Sequence, residues 1–248
     1  MPPTTPAANF NRIARLYRWL EYFSFGPALQ HCRLYRIPQL ASAKRALVLG
    51  DGDGRFLTRL LAANPTLHAD VVDQSPAMLR LVAARVTAIE ARHRVQMYPG
   101  DARVFGGRQH FLPGQRPAAT YDLVVSHFFL DCFTTEEVQA LAAKIRTCVA
   151  PNARWVISEF AIPEGIVALP AKWIVASLYT AFRILTGLRT RTLPDYASAL
   201  TRAGFTLEER KPFLGGLLVS ELWGFQERAG GDDGSQALAR SAEQNCGA

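Results

Sequence analysis

The stretch Ala46–Phe56 reads ALVLGDGDGRF, with Gly50, Gly52 and Gly54 alternating with Asp51 and Asp53. Glycines so placed supply left-handed backbone and let a ligand approach the main chain. A helix starting behind them offers free N–H groups. The two carboxylates then restrict the ligand. A pyrophosphate would meet both at short range, which is electrostatically unfavourable. The dinucleotide fingerprint G-x-G-x-x-G also needs a third glycine where this chain has Arg55. A cationic or phosphate-free ligand fits better.

Four more residues could do chemistry. Asp73 ends a short apolar run nineteen residues after Gly54, where a carboxylate can accept from both hydroxyls of a ribose. Asp73 or Ser75 could instead cap the helix that begins at Pro76. Asp101 is placed to accept from the exocyclic amine of an adenine, or is a turn residue. Together the two acids specify a nucleoside without phosphates. His127, whose ordinary pKa lies near neutrality, is the first candidate for a base and Asp131 the second. His127 could equally be a ring packed beneath Phe128 and bonded to backbone.

The elements that carry these residues alternate. The apolar run before Gly50 reads as a strand, and Phe56, Leu57, Leu60 and Leu61 share one helical face. His68–Asp73 is a second strand and the segment from Pro76 a helix with proline at its first position. Arg94–Tyr98, Tyr121–Phe129 and Ala153–Phe160 read as strands three to five. Thr134–Val149 is a helix with a capping-type start, and residues 106–120 form a long loop. Leu193–Phe205 reads as a helix ending at Gly204, followed by two strands joined at Gly215 and Gly216. This order predicts an α/β fold: a Rossmann-like, seven-stranded, mostly parallel sheet with helices on both faces and a C-terminal antiparallel hairpin. Ligands in such sheets sit at the carboxyl ends of the strands, where Asp51, Asp53, Asp73, Asp101 and His127 all fall.

The 248 residues suffice for one full core. Hydrophobic content of 49%, charged content of 20% and a net charge of +7 suit a globular protein. Seven of the cations lie in residues 1–45, against Glu21 alone. Cys32, Cys132, Cys148 and Cys246 lack C-x-x-C spacing, so no zinc site or disulfide framework is expected. MPPTTPAANF carries no secretory pattern, and Lys172 and Arg183 interrupt the apolar stretch Ala171–Leu188. The expectation is a cytoplasmic protein. The organisation expected is a helical cap over residues 1–40, a main domain over 41–227 with a helical insert at 164–191, and a disordered tail over 228–248.

LVLGDGDGRF, VVDQSPAML, YPGDAR and YDLVVSHFFL match in order and spacing the motifs of class I S-adenosylmethionine-dependent methyltransferases, which the chain resembles over residues 40–225. The resemblance implies S-adenosylmethionine as cofactor. Gly50, Gly52 and Gly54 would then approach its methionine portion and Asp73 its ribose, with Gln74 and Met78 nearby. Asp101 with Ala102 would bind the adenine, and Ser126 and His127 would lie beside the methyl group. A sulfonium with a free ammonium suits a loop carrying two acids. The family usually has an acid two residues before the first glycine, where this chain has Val48. Either Asp51 or Asp53 substitutes for it, or affinity is reduced.

Tyr17–Gln30, Val156–Pro163 and the segments around Leu193–Phe205 and Leu214–Trp223 are similar to ubiquinone and menaquinone C-methyltransferases, a likeness from which residues 164–191 depart. Aromatic residues such as Tyr17, Trp19, Tyr22 and Trp173 suit a hydrophobic pocket or an ordinary core. The expected acceptor is a small hydrophobic molecule of phenolic or quinol type. Basic and aromatic residues mixed in the N-terminal segment also suit a peripheral contact with the inner face of a membrane. Nucleic acid is not expected, since an Asn-Pro-Pro-Tyr type sequence is missing at the fourth strand end. A catalytically silent binder of the cofactor and a nicotinamide-dependent oxidoreductase are the alternatives.

Overall fold

In the computed structural model, residues 27–104, 120–163 and 193–226 are described. The first strand, β1 (Arg45–Leu49), is buried at every position after Arg45, as a strand covered on both faces must be. β2 (His68–Asp73), β3 (Val95–Pro99), β4 (Tyr121–His127) and β5 (Val149–Phe160) join it in parallel, and β6 (Phe205–Phe213) and β7 (Leu218–Phe225) close the sheet antiparallel. The order is β3-β2-β1-β4-β5-β7-β6. This is the expected seven-stranded fold.

Alternation along the strands divides the core between the two faces. Ala46, Val48, Val71 and Val125 face α2 (Arg55–Ala63) and α3 (Pro76–Ala88), where Phe56, Leu57, Leu60 and Leu61 are buried as the helical spacing predicts. Each such side chain contributes about 1.5–3 kcal/mol. Leu47, Leu49, Val124 and Trp155 face α4 (Thr135–Arg146) and α5 (Tyr196–Arg202). α4 starts in a full capping box between Thr134 and Glu137.

Several boundaries differ from expectation. β4 ends at His127, two residues early, because Phe128 has φ 51° and leaves the extended region. β5 begins at Val149, four residues early, pairing first with Tyr121 and resuming after a register shift. α5 starts at Tyr196, where Asp195 caps it by accepting from the amide of Ser198. The long loop (residues 106–119 of it), the insert (164–191), the tail (228–248) and residues 1–26 of the expected cap lie outside the described residues.

The described part of the N-terminal segment is α1 (Pro27–Leu34), which lies against β7. Leu29 and Cys32 pack on Phe160 and Leu218. The buried Arg36 beyond α1 forms an ion pair with Glu209 on β6 and donates to the Ser220 carbonyl at 3.1 Å. β6 itself is the outer strand and is exposed from Thr206 to Pro212.

Candidate functional site

β1 ends where the strand order reverses between β1 and β4, and the glycine loop begins there. Gly50, Gly52 and Gly54 have φ of 61°, 62° and 81°. Their surroundings differ. A Cβ on Gly50 would meet the Phe129 ring, one on Gly54 would lie 3.1 Å from Val82 on α3, and one on Gly52 would have nothing within 4 Å. Gly52 is therefore the glycine open to a ligand.

The two loop aspartates do different things. Asp53 pairs through Oδ1 with Arg55 at 2.8 Å and through Oδ2 with Arg85 at 2.9 Å. Asp51 accepts the amide of Leu57 at 3.1 Å, capping the third residue of α2 because Gly54 has no side chain to do so. Burial raises the Asp51 carboxyl to about 7, helped by the charges of Asp53 and Asp73, while Arg33 on α1 opposes the rise. Val48 is fully buried in the apolar layer against α2.

At the end of β2, Asp73 accepts the amide of Ser75 at 2.7 Å through Oδ1, which orients the carboxyl group with Oδ2 outside that bond. Burial raises it to about 6. The cap of α3 is Ser75, whose hydroxyl accepts from the amide of Met78. Asp73 is thereby relieved of that task. Gln74 is half-buried between them and Met78 is buried. Beyond β3, Asp101 accepts from the amide and from the guanidinium of Arg103, both at 2.9 Å, and Arg103 also pairs with Glu137 and lies over the Phe133 ring. Each carboxylate oxygen keeps a second lone pair for a ligand. Ala102 is buried in the core.

The turn after β4 completes the arrangement. Phe128 holds its positive φ with its amide bonded to the Ser158 carbonyl at 2.7 Å, and the Arg33 guanidinium lies 5.0 Å from its ring. Phe129 lies over Gly50, and Asp131 follows in the same turn. Burial raises Asp131 to about 6. His127 is buried, 4.3 Å from the Phe56 ring centroid, with Nδ1 2.9 Å from Ser158 Oγ. Burial, and then Arg33, hold its pKa well below the usual value. Ser126 points to the opposite face, where its hydroxyl accepts from the Trp155 indole at 2.9 Å.

Three neighbours were not anticipated from the sequence. Glu159 accepts the amides of Phe129 and Leu130 at 2.9 and 2.7 Å, which fixes the turn, and burial followed by the Asp131 charge raises its carboxyl. An acid at the end of the buried run WVISEF was its available signal. Ser158 stands beside His127 through the β4–β5 pairing, and Arg33 comes close only through the packing of α1, for which no local pattern exists.

Residues 47–155 match the family model described as a methyltransferase domain. Those residues are an S-adenosylmethionine-dependent methyltransferase domain. No curated protein matches it by sequence. Among solved structures, the fold is similar to an O-methyltransferase family protein from Burkholderia thailandensis, with TM-score 0.62, 15% identity and coverage of 88% of this chain and 62% of that one. It is also similar to the S-adenosylmethionine-dependent methyltransferase SibL, with TM-score 0.63, 20% identity and coverage of 91% and 64%. A third is an O-methyltransferase family 2 protein from Planctomyces limnophilus in complex with apigenin, with TM-score 0.61, 17% identity and coverage of 85% and 61%. At these identities the likeness is one of fold. The chain spans less than two thirds of the length of each of the three.

The residues present fit the cofactor of this methyltransferase domain. Gly52 leaves the backbone open, Asp51 is an acid whose burial disfavours its charge until a cation arrives, and Asp73 is held through Oδ1 by the Ser75 amide with Oδ2 outside that bond. Among the described residues no helix is long and apolar enough to cross a membrane.

Proposed function

We propose that the chain methylates a small hydrophobic acceptor of phenolic or quinol type. S-adenosylmethionine supplies an electrophilic methyl group on a sulfonium sulfur when bound. Asp73 would hold the ribose, Asp101 the adenine amine, and Asp51 with Gly52 the methionine end. Asp53, already paired with two arginines, would shape the loop, so Asp51 is the better substitute for the acid that Val48 replaces.

The observation that carries the reading is the turn after β4, which brings a half-buried acid, Asp131, to the same strand edge as the glycine loop through the Phe129–Gly50 contact. Deprotonating a phenol raises the nucleophilicity of its oxygen and of its ring carbons. A carboxylate raised to about 6 is nearer the working pH than an ordinary aspartate and so better matched to that task. His127, kept neutral by burial and Arg33, is the weaker base and would keep one ring nitrogen free to accept a hydrogen bond. Positioning by Phe129 and His127 would supply much of the rest.

The end segments resemble C-methyltransferases, whereas the solved structures of similar fold include O-methyltransferases, one of them bound to apigenin, itself a phenol. A phenol or quinol serves either outcome. The test is mass spectrometry of phenols and quinols incubated with isotopically labelled S-adenosylmethionine and the protein. Label on a phenolic oxygen or ring carbon supports the proposal, and cofactor binding with no labelled product across the set overturns it.

A further inference from the structure

Beneath α1 runs a polar contact that the cofactor residues do not use. Ser158 Oγ carries one proton and has lone pairs to accept with. The Cys32 carbonyl, 3.4 Å away, can only accept. The Cys32 thiol directs its own proton to the Val219 carbonyl at 3.4 Å, so it too is an acceptor towards Ser158. The serine proton therefore points at Cys32, and a lone pair faces His127 Nδ1 at 2.9 Å. Nδ1 must be the donor in that bond. A neutral imidazole has one proton, so Nε2 is bare, and Nε2 is buried with no partner among the described residues. The other tautomer would bury an N–H without a partner and would turn the serine proton away from Cys32.

We propose that Ser158 is a positioning residue that locks His127 in the Nδ1–H tautomer, so that the Nε2 lone pair is presented to the hydroxyl of the bound acceptor. This rests on the reading of His127 as part of the acceptor site. α1 takes part directly, since its Cys32 carbonyl fixes the serine proton. His127 orients the acceptor hydroxyl in the resting complex, and for reaction the hydroxyl turns its single proton from Nε2 to the Asp131 carboxylate, which takes it as the O–H bond breaks.

Long-range proton–nitrogen correlation spectra of the full chain labelled with ¹⁵N-histidine test this, with His127→Asn assigning the signal. The expected spectrum shows Nδ1 protonated and Nε2 bare from pH 6 to 8, and the Nε2 resonance shifts when phenol is added with the cofactor. Ser158→Ala is expected to mix the tautomers and Ser158→Thr to restore one. A proton on Nε2 in the wild type, or an unchanged tautomer in Ser158→Ala, overturns the assignment of Ser158. If Ser158→Ala does not fold, the wild-type spectrum still decides the tautomer. An unshifted Nε2 resonance overturns the assignment of the hydroxyl. A protein that methylates nothing leaves the ligand-free spectrum as it is, so the two readings fail separately.

Discussion

A Cβ on Gly50 would lie 2.2 Å from Cδ2 of Phe129, so the first glycine of the loop is required by an aromatic ring as well as by its φ of 61°. The ring in turn rests on a turn held by Glu159.

Gly50→Ala should therefore destabilise the protein by about 2–4 kcal/mol, the sum of a strained φ and an overpacked contact. Gly52→Ala, strained at φ 62° but open in space, should cost about 1 kcal/mol. Denaturant unfolding of both variants checks this, and pairing Gly50→Ala with Phe129→Ala should recover part of the loss. Equal costs at the two glycines would show that the ring does not matter.

Asp73→Ala should weaken S-adenosylmethionine binding by about 1.5–3 kcal/mol while leaving the fold intact, because Ser75 caps α3. Since the carboxyl titrates at about 6, affinity should fall as pH drops through that value. Calorimetry at pH 5.5 and 7.5 measures both effects, and an unchanged dissociation constant in the folded variant would remove Asp73 from the site.

Asp51→Asn should lower cofactor affinity, and Asp53→Asn should leave it nearly unchanged, because Asp53 already faces Arg55 and Arg85. Titrating each variant separates the two carboxylates that the sequence left equivalent. Loss of affinity at Asp53 alone would reverse the assignment.

The acids also predict the pH dependence of the ligand-free protein. Asp51, Asp73 and Asp131 titrate at about 7, 6 and 6 when folded, above the ordinary value of 3.8. The folded state thus binds more protons, and their contribution is complete below about pH 4 and lost as pH rises towards 7. Thermal midpoints should fall over that window, and less so with the cationic cofactor bound. Midpoints rising across the same window would show that these groups ionise without cost.

Turnover should fall about 10²–10⁴-fold in Asp131→Asn, the usual range for a lost general base, and in the wild type should decline as pH falls through about 6. His127→Asn should leave that acidic limb in place, since His127 is neutral well below its usual range. A limb that disappears with His127 would transfer the proton to the imidazole. Steady-state rates between pH 5 and 9 distinguish the cases.

Legibility in the sequence followed distance along the chain. The glycine loop, Asp73 and the capped helices are local patterns, and the structure sets all of them at the strand ends where such a sheet binds ligands. The partners of those residues are not local. Asp53 reads as a ligand acid until Arg85, thirty-two residues away, is seen to hold it. Ser126 and His127 are adjacent in sequence, yet strand alternation sends one to Trp155 and the other to Ser158. Glu159 is concealed by the apolar strand around it, and the influence of Arg33 depends on how α1 docks. Of the segments that carried the likeness to C-methyltransferases, only residues 17–26 fall outside the described residues, and the solved structures of similar fold include O-methyltransferases instead.

The outer strand β6 bears Glu208, Glu209, Arg210 and Lys211 in sequence, all exposed, and then Pro212, which has no amide hydrogen to give. A neighbouring chain that tried to add a strand there would meet mixed charge and a missing donor. That border therefore resists edge-to-edge stacking of copies, which lets the sheet remain open on this side at high protein concentration.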